Sequence, residues 1–250
     1  MLVKEVNFPC PCESTDMNRK GFLHRILFLD IETVPLMPSF ELLTEEDQRR
    51  FEHKTSYQRN GKITSADFYK KAGIWAEFGK IICISTAYLT GSEKEQQITL
   101  QSFYGDNEAQ ILLDFKTLLE TRFNTTAHLL CAHNGKEFDF PFIARRMIIN
   151  RMPLPEILNL YGKKPWEVRH LDTMELWKFG DYKHYTSLDL LSSVLGIESP
   201  KNDLKGSDVC TEYYTNNNID RIVKYCEKDT LALAKVYFRL IGESIESLHI

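Results

Sequence analysis

The stretch Phe28-Leu29-Asp30-Ile31-Glu32-Thr33 ends an apolar run that begins at Ile26, and the rest of the chain is interpreted around it. The run predicts a buried β-strand over about 26–32, and because strand side chains alternate, Asp30 and Glu32 share a face about 7 Å apart. Two buried neighbouring carboxylates repel each other unless a cation or a hydrogen-bond network compensates them. Hard divalent ions such as Mg²⁺ and Mn²⁺ prefer oxygen ligands, so this strand end is a candidate metal site. The alternative is a strand end at which Asp30 caps a turn and Glu32 faces water.

Composition is that of an ordinary globular protein. The chain has 250 residues, 43% hydrophobic and 26% charged, which argues against disorder. No apolar run approaches the ~18 residues of a membrane span. The first 25 residues carry charges and no apolar block, so we expect no secretory signal, no membrane association and a cytoplasmic protein. The net charge of −4 means that a polyanion would need a local positive patch.

The six cysteines fit a reducing compartment. Cys83, Cys131 and Cys226 lie in apolar stretches, where a thiol behaves as a small buried hydrophobe. Cys10 and Cys12 are the one suggestive pair, but no second pair or histidine couple completes a zinc site.

The organisation predicted is a loose N-terminal arm over 1–25 and a single domain over 26–245. Within the domain, 36–79 is an insertion of unclear role, rich in charge and helical in character. Glu41 and Phe51 are expected in one helix there, and a turn is expected at Arg59-Asn60-Gly61-Lys62.

A mixed sheet follows from the spacing of the apolar segments. Strands over 81–89 and 97–104 are joined by a short polar turn and are therefore antiparallel. A helix capped by Asp106 or Asn107 leads to a strand over 127–132, which should run parallel to its neighbour. We expect a fifth strand to end near 170–173, and helices to start near Asp139 and after Thr186 or Ser187. The last helix is predicted over 219–241. These elements indicate one α/β domain.

Two further acids sit where the fold could return them to the first pair. Asp139 lies at the junction of a strand and its helix, the place where α/β active sites collect. Asp229 lies in the last helix with Tyr225 four residues earlier, a spacing that stacks them on one face. Asp139 could instead be a helix N-cap, and Asp229 a surface acid paired with a lysine.

Together these residues match a known pattern. The order Asp30-x-Glu32, then Asn134-x3-Phe138-Asp139, then Tyr225-x3-Asp229 resembles the tyrosine branch of the DEDD superfamily of 3′-5′ exonucleases. The other branch would place histidine where this chain has Lys224. The chain is most similar to stand-alone exonucleases related to the proofreading domain of family B DNA polymerases. The resemblance covers about residues 26–240.

The resemblance implies an RNase H-like fold, a mixed five-stranded sheet flanked by helices. It implies a nuclease, a 3′-5′ exonuclease that hydrolyses single-stranded DNA with two Mg²⁺ or Mn²⁺ ions held by Asp30, Glu32, Asp139 and Asp229. Tyr225 would orient the attacking water rather than act as the base, since a phenol titrates near ~10. DNA repair is the kind of process such an enzyme would serve.

Substrate contacts follow from the same comparison. Asn134 and Phe138 are candidates for gripping the terminal nucleotide, and Thr33 for meeting the 3′ end. We interpret His133 as structural and Asp172 as a helix cap. A positive patch with one tryptophan for stacking is predicted from Arg145, Arg146, Arg151, Lys163, Lys164, Arg169 and Trp166.

Two alternatives remain open from the residues. An exoribonuclease with the same metal centre would have the same pattern, because no residue reveals a contact to a 2′-hydroxyl. An inactive nucleic-acid-binding module would keep the fold, although such a module usually loses a carboxylate and all four are present here.

Overall fold

The computed structural model describes residues 21–92, 95–181, 185–198 and 204–244. Most of the predicted N-terminal arm, including Cys10 and Cys12, lies outside the described residues. Residues 21–23 are helical, and Leu23 is buried in the main apolar core.

A five-stranded sheet forms the centre of the fold. The strands are β1 (Ile26–Pro35), β2 (Gly79–Ser92), β3 (Glu95–Tyr104), β4 (Leu129–Ala132) and β5 (Leu171–Asp172). Their order across the sheet is β3-β2-β1-β4-β5. The β1–β2 and β2–β3 pairs are antiparallel, whereas β4 runs parallel to β1 and to β5. The predicted mixed α/β sheet is confirmed.

Helices flank the sheet. They are α1 (Glu45–Arg59), α2 (Ser65–Tyr69), α3 (Glu108–Arg122), α4 (Asp139–Ile149), α5 (Thr173–Lys178), α6 (Leu188–Val194), α7 (Val209–Tyr214) and α8 (Ile219–Leu240). Asn107 caps α3 and Ser187 caps α6 through their side chains, as the sequence predicted. No helix in the described ranges has the length and hydropathy needed to cross a bilayer.

Helix α8 lies against β1 and β2. It is amphipathic, and its buried face includes Val223, Cys226 and Leu233. The Thr230 hydroxyl donates to the Cys226 carbonyl oxygen of its own helix at 2.9 Å and lies 3.4 Å from the Ser85 carbonyl oxygen of β2, so the rotation of the helix places this face on the sheet. This rotation decides which α8 side chains reach the end of β1.

The insertion over 36–79 has an apolar cluster of its own around Phe51, Phe68 and Tyr69. The prediction of one helix containing both Glu41 and Phe51 is wrong. A short 3₁₀ turn (Phe40–Leu42) precedes α1, because the Thr44 side chain accepts a hydrogen bond from the Asp47 amide and starts a new helix there.

The insertion is attached directly to the functional strand. The Thr33 hydroxyl donates to the Gly73 carbonyl oxygen at 2.8 Å, and the Leu36 amide donates to the Phe78 carbonyl oxygen at 2.8 Å. A Cβ on Gly79 would lie 2.8 Å from the Gly73 carbonyl oxygen, so the two glycine backbones are in close contact. The insertion is therefore packed onto β1 immediately after Glu32.

The predicted positive patch loses one member. Arg146 is buried and pairs with the buried carboxylate of Glu108 on α3, so it is part of the interior and not of the patch. The other five basic residues of the prediction are exposed, and the Lys164 ammonium lies 5.3 Å from the centre of the exposed Trp166 ring.

Candidate active site

Asp30 and Glu32 lie near the carboxyl end of β1, Asp30 partly buried and Glu32 buried. One ligand atom from each lies within 4.8 Å of the other and of the Cys226 thiol on α8. A β-bulge follows directly, so that Glu32 is opposite Cys83 on β2 while Thr33 is opposite Ile81. The bulge ends regular pairing just beyond the carboxylates.

Asp139 reaches the same place from α4. It is buried and is the first residue of the helix, while Phe138 occupies the N-cap position, so the N-cap alternative for Asp139 is wrong. The backbone N–H of Ile31, the residue between Asp30 and Glu32, faces the Asp139 carboxylate and lowers its pKa. The strand and the helix thus bring their acids together.

Asp229 and Tyr225 complete the group from α8. Both are buried, and the Tyr225 hydroxyl hydrogen-bonds to the Asp229 side chain. The charge of Asp229 is close enough to raise the pKa values of both Asp30 and Glu32. Four acids and one tyrosine from distant parts of the sequence therefore lie near one another at the end of β1.

Burial and the crowding of carboxyl groups together determine the electrostatics of this site. Burial is the largest cause of the raised pKa of Asp30, followed by the charges of Asp229, Glu32 and Asp139. Burial and the charge of Asp229 likewise raise the pKa of Glu32. Burial raises the pKa of Asp139 to about 7, against the lowering effect of backbone N–H groups. The site therefore favours any species that supplies positive charge.

The donor set fits hard divalent ions. Carboxylate oxygens are the ligands that Mg²⁺ and Mn²⁺ prefer, and a bound cation would remove the mutual repulsion that raises these pKa values. Asp30, Glu32, Asp139 and Asp229 are the residues that could hold such ions.

Tyr225 keeps its proton in this setting. Burial is the main cause of its raised pKa, and the charges of Asp229, Glu32 and Asp30 raise it further. Its hydroxyl can donate a hydrogen bond but cannot serve as a base near neutral pH.

The loop after β4 carries Asn134 in a strained backbone conformation, with φ of 64°. Its Oδ1 atom is buried and has no hydrogen-bond partner among the residues that the structure describes. The next residue is Gly135, and only glycine fits there, because a Cβ would lie 2.3 Å from the Ala132 Cβ. The strained backbone and the unsatisfied amide oxygen mark this loop as a candidate substrate contact.

Asp172 holds this loop in place. Its carboxylate accepts backbone hydrogen bonds from Asn134 at 3.0 Å and Lys136 at 3.2 Å. It also caps α5 by accepting from Met174 and Glu175, which confirms the predicted helix cap. The link to the Asn134 loop was not predicted, because it joins residues 38 positions apart.

The remaining predicted contacts are placed as follows. Phe138 is partly buried, with its ring centre 5.4 Å from that of Phe142. Thr33 lies beside Glu32 and gives its hydroxyl hydrogen to the insertion. His133 hydrogen-bonds to Thr173 at 2.8 Å and to the Thr186 carbonyl oxygen at 2.7 Å, which agrees with a structural role.

Sequence reasoning missed Cys226. Its Sγ atom lies 3.4 Å from Oδ2 of Asp30 and 3.4 Å from the Asp30 carbonyl oxygen. An apolar stretch on a helix predicts only that such a cysteine is buried, not what it is buried against.

The family follows from residues 74–244, which match the profile of predicted 3′-5′ exonucleases related to the exonuclease domain of PolB. The chain belongs to this family. The match covers more than half of the 250 residues and includes Asp139, Tyr225 and Asp229. It starts after β1, so Asp30 and Glu32 lie outside the matched residues. No curated protein matches the sequence.

A solved structure shares the fold of this PolB-related exonuclease family member. It is the family B DNA polymerase from the hyperthermophilic archaeon Pyrobaculum calidifontis, with a TM-score of 0.54 and 11% sequence identity. The similarity covers 84% of this chain and 24% of the polymerase. At this identity the similarity shows the fold alone, and the chain corresponds to about a quarter of that polymerase.

Proposed function

We propose that the protein is a metal-dependent 3′-5′ exonuclease that hydrolyses single-stranded DNA from its 3′ end. The observation that supports this most directly is the meeting of Asp30, Glu32, Asp139 and Asp229 at the end of β1, where the charges of Asp139 and Asp229 raise the pKa values of Asp30 and Glu32. The family supplies the reaction class.

Asp30 would help to hold two Mg²⁺ or Mn²⁺ ions, since its pKa is raised by the charges of all three other acids. Glu32 and Asp229 would complete one ion site and Asp139 the other. When bound, such ions neutralise charge on the phosphate and lower the pKa of the attacking water.

Tyr225 would position the attacking water. Its protonated hydroxyl lies beside Asp229 and can donate a hydrogen bond without taking a proton from the water. A water molecule held in line with the scissile bond needs less reorganisation before attack.

The terminal nucleotide would be gripped from the loop after β4. The buried Oδ1 of Asn134 can accept a hydrogen bond from a sugar hydroxyl or a base amino group. The Phe138 ring offers a surface for the sugar or base, and Thr33 would meet the 3′ end through its backbone or hydroxyl oxygen.

The single-stranded nucleic acid would reach the site along exposed basic residues. Lys163, Lys164 and Arg169 are exposed around Trp166, and an exposed aromatic ring beside cations suits an unpaired base and its phosphates.

The decisive assay uses single-stranded oligonucleotides labelled at the 5′ end, incubated with Mn²⁺ or Mg²⁺. We expect a ladder that shortens from the 3′ end with release of mononucleotides, and no product with Asp30→Ala. Asp114→Ala, an exposed acid on α3, is the matched control and should retain activity. Release from the 5′ end would refute the proposal.

DNA and RNA strands of the same sequence are compared in the same assay, and faster hydrolysis of RNA would reassign the substrate. Calorimetry with Mn²⁺ tests the inactive-module alternative. A protein that binds no divalent ion would be a binding module and not an enzyme.

A further inference from the structure

The Cys226 thiol lies close to two of the carboxylates of the site, those of Asp30 and Glu32. Its Sγ atom and one oxygen from each of Asp30 and Glu32 all lie within 4.8 Å of one another. Cys226 is fully buried on the face of α8 that packs against β1. One sulfur and two oxygens are therefore close enough together to bind the same ion.

The spacing suits a tetrahedral ion. With Zn–S near 2.3 Å and Zn–O near 2.1 Å, tetrahedral geometry places sulfur and oxygen ligands about 3.6 Å apart. The Sγ of Cys226 and the Oδ2 of Asp30 are 3.4 Å apart. Little movement is needed for both to contact one ion.

We propose that Asp30, Glu32 and Cys226 form a binding site for a thiophilic divalent ion, Zn²⁺, within the metal centre. The inference rests on the proposed function and deepens it, because it names a residue that discriminates between ions. Zn²⁺ accepts thiolate and carboxylate ligands together, whereas Mg²⁺ takes oxygen ligands only.

Binding of Zn²⁺ at this site would release one proton. As Zn²⁺ binds, the Cys226 S–H bond is replaced by an S–Zn bond and the proton leaves to solvent. Mg²⁺ or Mn²⁺ would leave the thiol protonated and bind through the carboxylates alone. Zn²⁺ would then occupy the position that Asp30 offers to the harder ions.

A second thiol lies behind the first. Cys83 on β2 is opposite Glu32 and hydrogen-bonds to Cys226. This contact can orient the Cys226 thiol toward Asp30. It also defines a competing possibility, an ion held by the two thiols without the carboxylates.

The test uses the full chain carrying Cys10→Ser and Cys12→Ser, so that the N-terminal pair cannot contribute. Cd²⁺ is the spectroscopic probe, because a cadmium–thiolate bond has an ultraviolet charge-transfer band. Zn²⁺ and Mn²⁺ affinities are measured by calorimetry on the same proteins. Circular dichroism checks that each variant is folded, and Cys226→Ala serves if Cys226→Ser does not fold.

We expect the cadmium–thiolate band in the background protein. The band should be lost in Cys226→Ser and in Asp30→Ala, and should persist in Cys83→Ser and in the partly exposed control Cys210→Ser. The Zn²⁺ affinity of Cys226→Ser should fall at least about tenfold, since even supporting residues of a metal site contribute that much. Its Mn²⁺ affinity should fall by a smaller factor.

Four results would overturn the inference. A background protein that binds Mn²⁺ but shows no cadmium–thiolate band would refute it while leaving the proposed function intact. A band that survives in Cys226→Ser would place the thiolate elsewhere. A band that survives in Asp30→Ala but disappears in Cys83→Ser would assign the ion to the two thiols. Failure to bind any divalent ion would remove both this site and the proposed function.

Discussion

The side chains of Arg146 and Glu108 form a buried ion pair that joins four segments of the chain. Arg146 Nε donates to Glu108 Oε1 at 2.8 Å, and the Arg146 guanidinium also donates to the Ala76 carbonyl oxygen at 2.8 Å. Glu108 in turn accepts from the Ile81 amide at 2.7 Å. The pair therefore connects α3, α4, the end of the insertion and the start of β2.

Arg146→Ala should lower the free energy of unfolding by about 3–5 kcal/mol, because it leaves the Glu108 carboxylate buried without its partner. Urea denaturation measures the change. The neighbouring Arg145 is exposed, and Arg145→Ala should change stability by less than about 0.5 kcal/mol. Equal losses from the two variants would contradict the role assigned to the pair.

Asp30→Asn should raise the melting temperature in the presence of a chelator while abolishing hydrolysis. The substitution removes one of the carboxyl groups whose crowding raises the pKa values of the site, and it keeps the shape of the side chain. Asp114→Asn should leave both properties unchanged. A lower melting temperature for Asp30→Asn without divalent ions would show that the cluster is compensated within the protein.

Tyr225→Phe should slow turnover by at least about tenfold while leaving Mn²⁺ affinity nearly unchanged, as expected for a residue that positions water. Single-turnover hydrolysis and Mn²⁺ calorimetry separate the two effects. A collapse of Mn²⁺ affinity would instead mean that the hydroxyl holds a metal ligand, Asp229, in place.

His170 should make the protein less stable in acid. Its Nδ1 atom accepts from the Leu130 amide, its other ring nitrogen contacts the Ile157 carbonyl oxygen, and burial lowers its pKa from 6.5 to about 4. Nearby cations that lower this pKa further are Lys136, Lys163 and Arg169. Below its ordinary pKa the unfolded state binds the extra proton, so this contribution is complete above pH 6.5 and is lost as the pH falls toward 4.

The loss amounts to roughly 3 kcal/mol over that interval. Urea denaturation between these pH values measures it. His170→Gln should flatten the slope of stability against pH, whatever it costs in stability at neutral pH. An unchanged slope would mean that another group controls the acid response.

Gly79→Ala should destabilise the junction between the insertion and the start of β2. The new Cβ would lie 2.8 Å from the Gly73 carbonyl oxygen, a backbone atom that cannot rotate away. Overpacking of this kind costs about 1–3 kcal/mol. Gly206→Ala is the control, since open space surrounds that position, and it should be neutral in the same denaturation experiment.

Local patterns were enough to predict most of the sheet and the long helices. Strand β1, the β2–β3 hairpin and α8 follow from alternation, turn residues and helical spacing, and the caps at Asn107 and Ser187 follow from side-chain chemistry. The meeting of Asp30 with Asp229 was suggested by their positions in the predicted fold and made specific by the resemblance, because no local rule relates residues so far apart.

What could not be predicted depends on partners supplied by distant segments. Arg146 reads as a surface cation on an amphipathic helix, and its burial is decided by Glu108 on another helix. Cys226 reads as a buried apolar residue, and its contact with Asp30 is decided by the rotation of α8 over the sheet.

The position of helix α8 late in the sequence determines when the proposed centre can form during protein synthesis. Tyr225 and Asp229 are translated long after Asp30, so the cluster cannot close while the ribosome is still adding the middle of the chain. An incomplete chain emerging beside its own messenger, a single-stranded polymer, would contain Asp30, Glu32 and Asp139 without the last acid. The proposed centre would thus be complete only after Asp229 has been added.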